Sequence, residues 1–211
     1  MKIYDVEGFP NPARVRMALA EKNAVEAIEF VPVDVMAGAH REEDFLTKNP
    51  DATVPCAELA DGTHIGRCTA IIEYIDGTFE GPSLIGDTPK QRALTHMMNL
   101  RAEEGLVDAV GAYFHHATDG LGPELETNQL PEHGERGYAK AQSTMRYLDT
   151  VLADQPYLAG EEFTMADITA FAGLAFADFA EVEIPADLDN LNEWRVRVAA
   201  RGPRGPGTRS G

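Results

Sequence analysis

Two adjacent histidines, His115 and His116, close a stretch whose pattern reads as the end of a long helix. On a helix, Glu104, Asp108, Gly111 and His115 share a polar stripe, whereas Gly105, Ala109, Ala112 and His116 share a stripe of small residues. His115 therefore reads as the histidine open to a cleft, and His116 as a packing residue. An imidazole changes charge near neutral pH, so His115 could take up and return a proton, directly or through a water. The same pattern also describes a solvated surface histidine, and the residues alone leave both readings open.

A second place for chemistry is the amino end of a helix expected to start near Pro12. Free backbone amides and the helix dipole favour an anion there, and Asn11 adds a side-chain amide. In a purely structural role Asn11 would be the helix cap. Cys56 and Cys68 form neither a C-x-x-C pair nor a disulfide framework, and no metal ligands stand at a recognisable spacing, so no metal is expected.

Composition narrows the partners. With 18 Lys+Arg against 35 Asp+Glu the formal net charge is -17, which repels phosphate backbones and anionic membrane surfaces; neither nucleic acid nor membrane is an expected partner. No run approaches the roughly 20 apolar residues of a membrane span, and MKIYDVEGFPNP lacks the layout of a secretory signal. A reducing cytoplasm is the expected location. With 211 residues, 44% of them hydrophobic, there is material for one large or two modest domains.

The elements that must position these residues follow from periodicity. Lys2 to Val6 and Ala27 to Val33 read as strands around a helix from Pro12 to Lys22, on which Val15, Ala18 and Leu19 repeat at helical spacing. A helix near Glu42 to Lys48 follows. Val54 to Leu59, the turn pair Asp61-Gly62 and a short run ending near Cys68 make a hairpin, and Thr69 then caps a helix through Ile71, Ile72 and Ile75. The order is βαβαββα over residues 1–80. Residues 81–88 are turn formers and read as a linker, and 89–200 read as all helix: one long helix from Thr88-Pro89 to about Ala117, another from Gly134 to Ala153. Thr164 and Asp167 form a capping box ahead of Ile168, with Phe163 placed to staple onto it. Residues 201–211, RGPRGPGTRSG, carry no apolar side chain and read as a disordered tail.

Four segments, in order, carry a family resemblance: KIYD with PARVRMALAEKN, the Val54-Pro55 step after NPDAT, CTAIIEYID, and FTMADIT. Together they resemble the glutathione transferase family across nearly the whole chain up to about Ala200. The opening and YFHHATDGLGPE are most similar to its bacterial and fungal subclass. The resemblance implies a thioredoxin-like α/β amino-terminal domain that binds glutathione, an all-helical carboxy-terminal domain that binds substrate, and a homodimer. The implied reaction is attack by the glutathione thiolate on a small hydrophobic electrophile. Peroxide reduction, dehalogenation and isomerisation use the same thiolate.

The resemblance also assigns roles. The serine, tyrosine or cysteine that serves the thiol in most of the family is replaced by Phe9, leaving His115 and the helix terminus at Asn11 as catalytic candidates. Val54-Pro55 matches a cis step whose first residue pairs with the cysteinyl backbone of glutathione. Arg67-Cys68 stands where the family has an acidic or amide residue and a hydroxyl. Cys68 and Thr69 keep backbone amides for the γ-glutamyl carboxylate, while Arg67 puts a cation where an ammonium normally finds an acceptor. His40, with Arg41 beside it, matches a donor to the glycine carboxylate, although the pair also reads as an exposed loop. Thr53 stands where many relatives have lysine. In place of the family's helix hydroxyl one turn before His115 stands Gly111. These departures leave a second reading, a module with the fold but without turnover. The absence of C-x-x-C argues against a thioredoxin-type oxidoreductase.

Overall fold

In the computed structural model, which describes residues 1–201, strand β1 (Lys2–Asp5) pairs in parallel with β2 (Glu29–Pro32). A parallel pair needs a crossover, and helix α1 (Pro10–Glu21) supplies it. This helix starts two residues before Pro12. Phe9 is extended, Pro10 takes the first helical position, and Pro12 sits within the first turn, where amides lack intrahelical acceptors and proline costs no bond. Asn11 therefore lies inside the helix, and its expected cap role is overturned: among the described residues no side chain caps α1. Strand β2 begins later than expected because Val25–Ala27 closes a 3-10 turn.

After the single-turn helix α2 (Glu43–Leu46), β3 (Cys56–Glu58) runs antiparallel to β1, and β4 (His64–Ile65) antiparallel to β3, giving the order β2-β1-β3-β4. The turn between them is held by the Asp61 carboxylate, which accepts from the Thr63 amide at 2.9 Å, with Gly62 at φ +86°. Helix α3 (Cys68–Thr78) starts on Arg67, whose φ of 66° breaks the chain direction. Thr69 is its second residue and not its cap. Ile3, Val15, Leu19, Ile71, Ile72 and Ile75 are all closed to solvent and belong to the core of this part of the chain. Below them Lys22 forms a buried 2.7 Å ion pair with Asp76, whose carboxylate also accepts from the Leu84 amide at 2.7 Å. This compact unit ends at Leu84, and a second begins at Ile85.

The second unit is helical. Helix α4 (Pro89–Ala102) opens on a capping box: Thr88 accepts from the Gln91 amide at 3.2 Å, and the Gln91 side chain accepts from the Thr88 amide at 2.9 Å. The long helix to Ala117 is present in three pieces, with a π-helical turn (Glu103–Val107) between α4 and α5 (Asp108–Ala117). The step from Glu104 to Asp108 therefore crosses π geometry, and only Asp108, Gly111 and His115 keep regular helical spacing. Helix α6 (Pro131–Leu152) starts three residues before Gly134, on another proline suited to the first position. It packs closely on α5. A Cβ on Gly137 would lie 3.0 Å from that of Ala112 and 3.2 Å from the Tyr113 amide, and one on Gly134 would lie 2.6 Å from that of Ala117.

Helix α7 (Met165–Phe179) starts at the expected capping box, and α8 (Asp189–Ala199) follows. Asp167 is buried and accepts from Leu158 N (2.9 Å), Thr164 N (3.0 Å), the Thr164 hydroxyl (3.2 Å) and Trp194 Nε1 (2.9 Å). Gly173 of α7 leaves room for the π-helical turn, since a Cβ there would lie 2.7 Å from that of Leu106. Of the tail, only Arg201 is among the described residues. Its amide donates to the Val198 carbonyl at 3.0 Å and its guanidinium to the Tyr157 hydroxyl at 3.2 Å, so it belongs to the folded part. The remainder of the expected disordered segment lies outside the described residues.

Candidate active site

In the first unit the amino ends of α1 and α3 meet. The Cys68 thiol, at the first residue of α3, donates to the Asn11 carbonyl at 3.3 Å. Arg14, one turn further along α1, donates to the Asn11 side-chain oxygen at 3.0 Å and reaches the Thr69 hydroxyl at 3.5 Å. The residue is 1% exposed, so its charge acts in a medium that screens it poorly. Two positive helix ends and a buried guanidinium thus gather around Asn11, Cys68 and Thr69, an arrangement that favours an anion. The other thiol is inert: burial pushes Cys56 up to about 11, against the opposing charge of Lys48.

The remaining predicted residues of this unit lie around two loops. The Val54-Pro55 peptide is cis, as expected, and Pro55 is buried. Thr53 before it is held by Asn49, whose side-chain amide donates to the Thr53 carbonyl at 2.7 Å and to its hydroxyl at 3.1 Å. Arg67 is exposed and forms a 2.8 Å ion pair with Asp51, so its charge is answered within the chain. His40 and Arg41 separate: Arg41 is exposed, but His40 is only 8% exposed and its Nδ1 has no hydrogen-bond partner among the described residues. The exposed-loop reading fails for His40. Burial, then the charge of Arg41, hold its imidazole below the ordinary histidine range.

In the second unit His115 and His116 diverge as their stripes suggest. His116 Nδ1 accepts from the Leu130 amide at 3.1 Å, and its ring packs edge-on against His133 at 5.0 Å. His115 keeps 42% of its side chain exposed, and its Nδ1 lies 2.6 Å from Glu126 Oε1. Beside it Phe114 packs against Phe176 and Phe179, each at 5.6 Å, and Phe179 is 72% exposed. Tyr113 instead turns to Tyr138 of α6 at 5.2 Å, a packing contact. Gly111 sits under Phe176, 3.6 Å from where its Cβ would be.

Among the residues of these clusters that the sequence did not single out are Arg14, Asn49 and Glu126. Arg14 had a signal, since it follows Asn11 by one helical turn on a helix whose other face is apolar. Asn49 precedes a proline, a turn-forming pair that anticipates a local backbone contact. Glu126 had none, because only the course of the 118–130 loop returns it to His115.

Residues 10–78 match the family described as Glutathione S-transferase, N-terminal domain, and residues 131–197 match Glutathione S-transferase, C-terminal domain. Glutathione S-transferase 2 of Saccharomyces cerevisiae is 50% identical over 201 residues, covering 95% of this chain and 86% of that protein. The crystal structure of Gtt2 from the same yeast aligns with a TM-score of 0.93, over 95% of this chain and 97% of that one, at 50% identity. A glutathione S-transferase domain-containing protein of Marinobacter aquaeolei aligns with a TM-score of 0.94 at 65% identity, over 95% and 98% of the two chains. With both domains matched in order, and half its residues shared along nearly its full length, the chain belongs to the glutathione S-transferase family.

Proposed function

We propose that this glutathione transferase binds glutathione in its first unit and turns the thiolate on a small hydrophobic electrophile, with His115 as a proton acceptor in the reaction, directly or through a water. The meeting of the α1 and α3 amino ends carries the reading. Glutathione presents two carboxylates and, once activated, a thiolate; the contact of Cys68 with Asn11 and the buried Arg14 supply positive potential for such a ligand. A free thiol with a pKa near ~8.5 is mostly protonated at neutral pH, so both a favourable potential and a proton acceptor are needed.

The amides of Cys68 and Thr69 hold the γ-glutamyl carboxylate, Val54 pairs with the cysteinyl backbone ahead of Pro55, and His40 and Thr53 lie toward the glycine end. Asp51 neutralises Arg67, so the ammonium of the peptide does not meet a bare cation. Phe114, Phe176 and Phe179 offer apolar surface to the electrophile. Two copies form a homodimer, with the exposed Met97 and Leu100 of α4 among the side chains covered. The enzyme acts in the cytoplasm, disposing of reactive electrophiles; fractionation of cells tests the location.

Calorimetry with glutathione, followed by an ultraviolet scan for the bound thiolate, tests the binding half. With 1-chloro-2,4-dinitrobenzene as electrophile, His115→Ala is expected to lower kcat by about 100-fold, the lower end of what a positioned base supplies. Glutathione binding should persist. An unchanged rate removes His115 from the mechanism.

A further inference from the structure

We infer that Glu126 is the positioning residue for His115, fixing the neutral imidazole with its proton on Nδ1 and leaving Nε2 open as the proton acceptor. The inference rests on the reading of His115 as the proton acceptor and adds a residue to that site. Its basis is the 2.6 Å contact between His115 Nδ1 and Glu126 Oε1. A carboxylate has no hydrogen to give, so at this distance the hydrogen belongs to Nδ1, and in the neutral ring the Nε2 lone pair is then left open. Glu126 is held in the ionised form. Burial works against the charge, but the hydrogen bonds from the Leu121 amide and then from His115 keep the carboxyl below its ordinary range.

The carboxylate is seated by the loop and does not merely drift against the ring. Its Oε1 also accepts from the Leu121 amide at 2.9 Å. Gly120, at φ +53°, passes so close that a Cβ there would fall 2.7 Å from Cδ and 2.8 Å from Cγ of Glu126, so a side chain at this position would displace the carboxylate. The loop is tied to the same helix end by Gln129, whose side-chain amide donates to the His115 carbonyl at 2.9 Å and the Thr118 carbonyl at 2.7 Å. Loop and helix end therefore hold one geometry around the imidazole.

In its role as proton acceptor His115 takes the proton up at Nε2, directly or through a water. The resulting imidazolium keeps its Nδ1 hydrogen on Glu126, whose negative charge stabilises it, and the proton later leaves to solvent. The carboxylate itself takes up no proton.

The test is Glu126→Gln, alone and combined with His115→Ala, in the full chain. A glutamine oxygen can still accept from Leu121 N and from Nδ1, so the loop is retained and only the charge is lost. The expected result is a kcat for 1-chloro-2,4-dinitrobenzene about tenfold lower, with KM for glutathione unchanged, and no further loss when the substitution is added to His115→Ala. If His115→Ala lowers kcat while Glu126→Gln matches the parent, or if Glu126→Gln costs as much without His115 as with it, the inference is overturned and the proposed base stands. If His115→Ala has no effect, the proposed base itself falls. Nitrogen-15 spectra of the neutral His115 ring in the parent give a readout independent of turnover: a hydrogen on Nδ1 supports the assignment, and one on Nε2 overturns it.

Discussion

Asp167 has four donors around one carboxyl group, yet burial outweighs them and pushes it from its ordinary 3.8 up to about 6. A carboxyl group whose folded value is raised contributes its full stability below the unfolded value, near pH 4, and loses that contribution as pH climbs through 6. Asp167→Asn does not titrate. The stability of the parent relative to this variant should therefore fall between pH 4 and pH 7, by up to roughly 3 kcal/mol for a shift of about two units, measured by urea unfolding at both values. A difference that grew with pH would mean that the four donors win over burial. At this scale the sequence is legible where partners are close along the chain. Thr164 and Asp167 are three residues apart and were readable as a capping box, whereas the Trp194 indole comes from 27 residues away and was not. Glu126 was hidden from His115 for the same reason.

Helices are the elements that periodicity reveals, since an apolar stripe at helical spacing needs only one segment to be seen. Their ends are harder. Prolines at positions 10 and 131 belong inside the first turns of α1 and α6, because the amide they lack had no partner there to lose. The short strands were legible as a hairpin and a βαβ crossover, but their limits were set by pairing across the sheet, which is not local. Helix packing adds a test in which two glycines behave oppositely. Alanine is favoured over glycine inside a helix by about 1 kcal/mol, so Gly77→Ala in α3, with nothing within 4 Å of the new methyl group, should be stabilising by up to that amount. Gly137→Ala places its methyl group against the backbone of α5, and overpacking should turn the sign, costing about 1–3 kcal/mol. Thermal unfolding of the two variants decides it; equal stabilisation would show that α5 and α6 separate without cost.

For the molecule as a whole, the charge of -17 bears on association with a second copy. Two such chains repel at long range, and salt screens that repulsion, while the burial of Met97 and Leu100 does not depend on it in the same way. Sedimentation equilibrium should therefore find a dimer that tightens as salt is raised from low to physiological concentration. A chain that remains a monomer at every salt concentration would remove the homodimer from the proposal. The π-helical turn at Glu103–Val107 has a different consequence for the whole chain, one of descent. It accommodates one residue more than an α-helix would over the same span, so it is the form that a single-codon insertion takes when the helix on both sides keeps its old faces. A sister sequence without that codon would run straight from α4 into α5, and its counterpart of Gly173, relieved of Leu106, would be free to carry a side chain.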